Sequence, residues 1–447
     1  MPAPAGELPL SSSPPLLFSC CGFLSHAKTL DAPKTTNSSP QRITEVSSED
    51  GGGGETTGSA APLASSPLEI GDLLAQSLRR LPALPSSLLR ASLVCKSWCG
   101  VVSDPRFLRD FQAHHRRPPL LGFFYHYFLG TLGGIRFTPI LDPPDRIPDS
   151  RFSLRIALGC RILRCHHGRV LISDRCDRSF LVWDPITGDL RRVPFPPKSN
   201  SHMAFIDGGI ACASTEQGHV HGACHSDPFK VIALGEDRDR YFALVYSSET
   251  GAWGDLFSIV RPVTFMIVCP TCPSTMLGNS ICMLLIIKEK LAVLEVDWVR
   301  QNIAIIDIPS DAFVLDPFIS DHIMVTPTSA GGLSLVVIKD CSANVWKRAS
   351  SNGDGDARWN LLHTVELRNL LSLVPTENPL TLKILGVNED DNVMFRSKDT
   401  GAVFIVNPES KKIKQFTLKL SYYDYYPFAS FYTPPQVPRI YPQCPDA

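Results

Sequence analysis

The chain has no stretch of about eighteen consecutive apolar residues, the length an α-helix needs to cross a bilayer. The longest candidate, Ile281 to Ile287, is strand-sized and is followed by Lys288, Glu289 and Lys290, so no membrane partner is expected. The apolar patch Leu16 to Leu24 is broken by Ser19 and Gly22 and has no basic leader, which argues against a signal peptide. Net charge is missing too. The 43 Lys and Arg offset 44 Asp and Glu, leaving no basic stripe of the kind that nucleic-acid binding requires. Catalytic signatures are equally scarce. There is no phosphate-cradling glycine loop ending in Lys-Ser or Lys-Thr, no His-Glu-x-x-His, no nucleophile elbow and no dinucleotide fingerprint. Neither a catalytic residue nor a cofactor is therefore expected.

Paired cysteines at zinc-finger spacing are also lacking. Cys269-Pro270-Thr271-Cys272 has no second pair at finger distance and reads as a loop between strands. His219, His221, Cys224 and His225 form the best metal-like cluster. Neighbouring His and Cys in a polar loop are more often unliganded, so no metal is expected. The 14 cysteines are scattered, and several, such as Cys95, Cys160 and Cys282, sit in apolar runs where a buried thiol packs as a small hydrophobe. That usage suits a reducing compartment, the cytoplasm or the nucleus.

What the chain does contain begins at Leu68. Leu73, Leu74, Leu78 and Leu81 recur at the three-and-four spacing of a helix face, and Pro82 and Pro85 end the pattern. Ser86 or Ser87 can cap a second helix with Leu88, Leu89, Leu93, Val94 and Trp98 on its inner face, so Leu93 and Trp98 are expected between the helices. Asp104 before Pro105 suits the cap and first position of a third helix burying Phe107, Leu108 and Phe111. Three short helices over residues 68–117 make a marginal core, which gains most by burying surface against another chain. The segment carries eight Lys or Arg against four Asp or Glu, enough to help steer it toward an acidic protein surface.

Leu81-Pro82, Ser87-Leu88-Leu89-Arg90-Ala91, Val94-Cys95-Lys96 with Trp98, and Val101-Val102-Ser103-Asp104-Pro105 with Phe107 resemble the F-box motif of plant F-box proteins. The resemblance implies a three-helix F-box that docks on a Skp-type adaptor, and through it on a cullin, while the rest of the chain captures a target protein for ubiquitination. It assigns adaptor contact to Leu73, Leu74, Leu78, Leu81, Pro82, Leu88, Val94, Cys95, Lys96 and Trp98. Two departures fall in the same region. Glu69-Ile70 stands where the family usually has Leu-Pro, and Ser77 stands where an apolar residue is usual.

Residues 1–67 are rich in Ser, Pro, Gly and Thr, include the run Gly51 to Gly54, and hold no periodic apolar segment. They are expected to be a disordered tail. After Arg117 the period changes from helix to strand. Short apolar runs come in pairs around charged or glycine turns, as in Arg169 to Ser173 with Phe180 to Trp183, Phe229 to Leu234 with Tyr241 to Tyr246, and Leu333 to Ile338 with Ala343 to Trp346. The residue just past each long strand falls at positions 184, 247, 297, 346 and 407, with separations of 63, 50, 49 and 61 residues. Such a repeat of a four-stranded unit is the pattern of a β-propeller, here of roughly six blades over 118–435. Its last strand, within Tyr422 to Tyr432, is expected to pair with the first blade, and 436–447 form a C-terminal tail. A two-sheet β-sandwich is the rival architecture.

Trp183-Asp184-Pro185-Ile186-Thr187-Gly188, Leu294-Glu295-Val296-Asp297 leading to Ile306-Asp307-Ile308-Pro309, and Tyr426-Pro427-Phe428-Ala429-Ser430-Phe431 resemble the F-box-associated propeller of grass F-box proteins. Taken together, the expectation is a mainly β protein with a small all-α module, working as a non-catalytic substrate receptor of a ubiquitin ligase. A stand-alone interaction propeller with a decayed F-box, or a ligand-binding or enzymatic propeller, is the alternative.

Overall fold

Successive side chains of a strand leave opposite faces, so a strand covered on both sides must be apolar at nearly every position. The computed structural model of the protein describes residues 71–432 apart from 130–131, 158, 197–203, 216–218, 226, 262–265, 269–273, 288–289, 314–318, 329–331, 340–341, 350–357, 368–381, 388–391, 408–409 and 418–423. It places the apolar runs in six antiparallel sheets arranged as a β-propeller. The expected tails 1–67 and 436–447, the Cys269–Cys272 pair and the departures at Glu69 and Ile70 lie outside the described residues.

Blade 1 runs outward from Tyr425–Ala429 through Leu120–Leu129 and Leu132–Pro139 to Leu154–Ile156. Blade 2 follows with Cys160–His166, Arg169–Asp174, Ser179–Trp183 and Leu190–Pro194. In blade 3, Ala204–Cys212, Phe229–Glu236 and Arg240–Ser247 are followed by an outer edge split between Ala252–Trp253 and Phe257–Val260. Blade 4 has a split inner edge, Met266–Val268 and Thr275–Leu277, before Ser280–Ile287, Lys290–Asp297 and Asn302–Asp307. Ile323–Pro327, Leu333–Lys339, Ser342–Arg348 and Trp359–Glu366 make blade 5, and Leu382–Val387, Val393–Ser397, Ala402–Val406 and Ile413–Thr417 make blade 6.

The ring closes where Tyr425 to Ala429 pairs antiparallel with Leu120 to Tyr125, as the sequence predicts. Each gap between neighbouring blades holds its own apolar cluster. Leu121 and Phe124 enter the gap between blades 1 and 2, whereas Phe123 and Tyr125 enter the gap between blades 6 and 1. Likewise Leu335 and Val337 face blade 4 while Val336 and Ile338 face blade 6. A sandwich has one such interior. The six interiors explain why the strands read as continuous apolar runs.

The repeat marker has a physical basis at the turn after the third strand in four blades, whereas position 346 falls inside its strand, Ser342–Arg348. Asp184 Oδ1 accepts from the backbone amides of Ile186 (2.9 Å) and Thr187 (3.2 Å), and Asp297 Oδ1 does the same for Val299 (3.0 Å) and Arg300 (2.9 Å). Ser247 Oγ accepts from Glu249 N (3.3 Å) and Asn407 Oδ1 from Ser410 N (2.7 Å). A short polar side chain that closes its own turn is what such a corner requires.

Ahead of the ring stand four helices, not the expected three: α1 (Gly71–Arg79), α2 (Ser87–Ser92), α3 (Lys96–Val102) and α4 (Pro105–His115). The expected second helix breaks at Leu93-Val94-Cys95. Ser92 Oγ donates to Leu89 O (2.6 Å), the amides of Leu93 and Val94 close tight turns on Arg90 O and Ala91 O, and Cys95 is fully extended at φ −163°. A side chain that competes for helix carbonyls weakens the helix where it sits. The break corrects three placements. Leu93 is 78% exposed and Val94 60% exposed, not packed between helices, and Cys95 is exposed, whereas Cys160 and Cys282 are buried as expected.

The module's core comprises Leu74, Leu78, Leu88, Ala91, Val102, Phe107 and Phe111, with Leu81 and Trp98 packed against it. The cap of α4 forms as the sequence predicts, with Asp104 Oδ1 accepting from Arg106 N (2.8 Å) and Pro105 at the first helical position. Asp145 of blade 1 accepts from Ser86 N (2.8 Å), which ties the module to the propeller.

Candidate functional site

Among the described residues, the outer face of the helical module and the mouth of the propeller channel both carry side chains that packing does not consume. On the module, the break between α2 and α3 turns Leu93 and Val94 outward at 78% and 60% exposure, and Leu73 on α1 is 42% exposed. Cys95, Lys96 and Pro82 are exposed as well. Of the residues to which the sequence assigned adaptor contact, Leu74, Leu78 and Leu88 are buried inside the module, and Leu81 and Trp98 are part-buried against that core. The first three belong to the module's core and present no surface to a partner. Ser77 is exposed, and its Oγ donates to Leu73 O (2.8 Å) within α1.

The innermost strands line a channel of about 590 Å³ whose walls include Arg161, Arg164, Asp207, Lys383, Asp424 and Tyr426. Arg164 and Lys383 are engaged by neighbouring carboxylates. Arg164 donates to Gly208 O (3.3 Å), Ser274 O (2.6 Å) and Ser274 Oγ and lies 3.6 Å from Asp207 Oδ2. Lys383 Nζ sits 2.8 Å from Asp424 and 3.4 Å from Asp321. Burial opposes the Lys383 charge, yet the two carboxylates outweigh it and raise its pKa. Burial also pushes the Cys165 thiol up, far from the thiolate a nucleophile needs. His126 accepts from Ile162 N (2.7 Å), and burial lowers its pKa to about 4.

At one mouth, the connection between the first two strands of blade 3 folds over the channel rim. Cys212 Sγ and Cys224 Sγ lie 3.3 and 3.2 Å from His219 Nε2, and Cys224 Sγ lies 3.7 Å from His221 Nδ1. The four donor atoms fall within 4.8 Å of one another. His221 stacks on His167 at 3.7 Å between ring centroids, and His167 Nδ1 accepts from Cys212 N (3.1 Å). The cluster expected from sequence is thus altered in one member. His225 turns away to donate to Asp184 Oδ2 (2.8 Å), and Cys212, which the sequence reading missed, takes its place. The loop is clamped from outside. Arg169 donates to Cys224 O and to Asp227 O (2.6 Å), Gly222 O accepts from Ser430 Oγ (2.7 Å) and Phe431 N (3.0 Å), and Pro118 packs on Gly222. A side chain at Gly222 would collide with Pro118, and its φ of +100° also favours glycine.

Comparison with known proteins bears on the first region. The family model described as the F-box domain matches residues 71–110, which span α1 to α3 and the start of α4. An F-box protein of Arabidopsis thaliana is 28% identical over 183 residues, covering 39% of this chain and 40% of its own length. An F-box/kelch-repeat protein of the same plant is 25% identical over 204 residues, covering 44% of this chain and 49% of its own length. The chain spans about half or less of the length of these relatives. The protein thus combines an F-box domain with a six-bladed propeller.

Proposed function

We propose that the chain is the substrate-receptor subunit of a cullin-RING ubiquitin ligase, with the F-box docking on a Skp-type adaptor and the propeller holding the protein to be ubiquitinated. The observation that carries this reading is the outward apolar pair Leu93 and Val94, together with the exposed Leu73 of α1 in the same module. A small module that leaves large aliphatic side chains in water gains by burying them on a partner. The excess of basic residues in 68–117 assists encounter with an acidic partner surface. No bond chemistry is assigned to the chain. Two binding surfaces on one molecule raise the effective concentration of target near the transfer machinery, and such a role belongs to the cytoplasm or nucleus.

The test is adaptor affinity, measured by titration calorimetry on the purified full chain. Leu93→Asp with Val94→Asp should weaken binding by about a hundredfold or more, since desolvating two carboxylates at a buried contact costs several kcal/mol. The melting temperature should barely move, because both side chains are exposed. If the parent chain fails to bind a Skp-type adaptor, the ligase reading falls and a stand-alone interaction propeller is the better account.

A further inference from the structure

The Cys212, His219, His221 and Cys224 donor set belongs neither to the adaptor-facing helices nor to the packing of a blade. A tetrahedral ion with metal–sulfur bonds near 2.3 Å and metal–nitrogen bonds near 2.0–2.1 Å places its sulfur and nitrogen ligands about 3.5 Å apart. Three of the four S···N separations are 3.2, 3.3 and 3.7 Å, and all four donor atoms lie within 4.8 Å of one another. His219 Nε2 stands close to both sulfurs at once, and Cys224 Sγ also approaches His221 Nδ1, so the four donor atoms converge on one point. We propose that Cys212, His219, His221 and Cys224 bind one zinc ion, through both sulfurs, His219 Nε2 and His221 Nδ1.

The surroundings are those of a ligand set. The Asp227 carboxylate lies 3.8 Å from the second nitrogen of His219, too far for a hydrogen bond and near enough for its negative charge to favour a cation at the site. Ser214 N donates to Cys212 Sγ (3.4 Å), a bond that stabilises a thiolate. His221 is held flat against His167, with planes 10° apart. Two thiolates and two imidazoles match a borderline-soft divalent cation and disfavour magnesium or calcium, which take oxygen. Four protein ligands leave no open position, so the ion is structural. It joins the end of blade 3's inner strand, at Cys212, to the loop on which Pro118 and Ser430 rest.

The experiment uses the full chain, purified under reducing conditions from zinc-supplemented cells. Elemental analysis should give about one zinc per chain. After chelation, Co(II) added to the apo chain should produce the intense visible bands of tetrahedral cobalt together with thiolate-to-cobalt charge transfer. Cys212→Ser with Cys224→Ser should lose both signals, whereas His225→Ala, which alters only the neighbouring contact to Asp184, should keep both. If the double variant fails to fold, the cobalt spectrum of the unaltered chain still decides the matter. Less than about a tenth of an equivalent of zinc with no tetrahedral cobalt spectrum would overturn the proposal. So would full metal content in the double variant, or a Cys212–Cys224 disulfide in chain isolated without oxidant.

Discussion

Arg164 holds together three innermost strands. From blade 2 it reaches the backbone of Gly208 in blade 3 and Ser274 at the inner edge of blade 4, with Asp207 as its countercharge. Both partners of this ion pair are about 9% exposed at the side chain. Removing one charge of a buried pair costs more than the pair contributes, because the other charge is left desolvated. Arg164→Leu should therefore destabilise the chain by about 3–5 kcal/mol in urea denaturation, and adding Asp207→Leu should restore part of that loss. If the single variant loses under about 1 kcal/mol, water reaches the Asp207 carboxylate from the channel. Nothing local in the sequence announces this role. Arg164 stands between Leu163 and Cys165 in a run that reads as an ordinary strand, and its partners lie 43 and 110 positions away.

Among the elements, the clasp strand Tyr425–Ala429 carries the closure of the ring. Phe428, 1% exposed, meets Phe124 at 5.0 Å, Phe152 at 6.0 Å and Phe137 at 6.3 Å between ring centroids. Phe428→Ala should cost about 3–5 kcal/mol through the cavity it leaves, read as a lowered midpoint in thermal or urea unfolding. A shift under about 1 kcal/mol would mean the clasp contributes little to stability. The inner strands were legible in sequence because they are covered on both faces, and several third strands end on a residue such as Asp184 or Asp297 that closes its own turn. The α2–α3 break was not legible. Leu93 and Val94 keep helical spacing with Leu89 and Trp98, and only the competing hydroxyl of Ser92 and the extended Cys95 turn them outward. The donor cluster was half legible for a related reason. His219, His221 and Cys224 lie together in sequence, but His225 is withdrawn by an aspartate of another blade, and Cys212 sits at a strand end where its apolar neighbours suggest packing.

At the scale of the whole molecule, buried neutral histidines tie stability to pH. Burial is the main reason that His126 is lowered to about 4 and His166 to about 3, from an ordinary 6.5. The unfolded chain binds these protons below pH 6.5 and the folded chain does not, so stability falls as pH drops from 6.5 toward 4. The loss by pH 5 should be on the order of 1–2 kcal/mol for each site, measured as the difference in urea midpoint between pH 7.5 and pH 5. His126→Gln, which retains an acceptor for Ile162 N, should flatten part of that slope; an unchanged slope would show that His126 is hydrated and titrates normally. The clasp also orders events during synthesis. The strand Leu120–Leu129 is made early, but its inner partner begins only at Tyr425. At about 5–20 residues per second, the roughly 300 residues between them take about 15 to 60 s to translate. For that interval the first blade has an unpaired edge, and Phe124 lacks the cover of Phe428. The helices from Gly71 to His115 are made before any strand of the ring. A nascent chain thus carries its finished helical segment ahead of a ring that is still open, and any surface built from both the first and the last blade forms only at the end of synthesis.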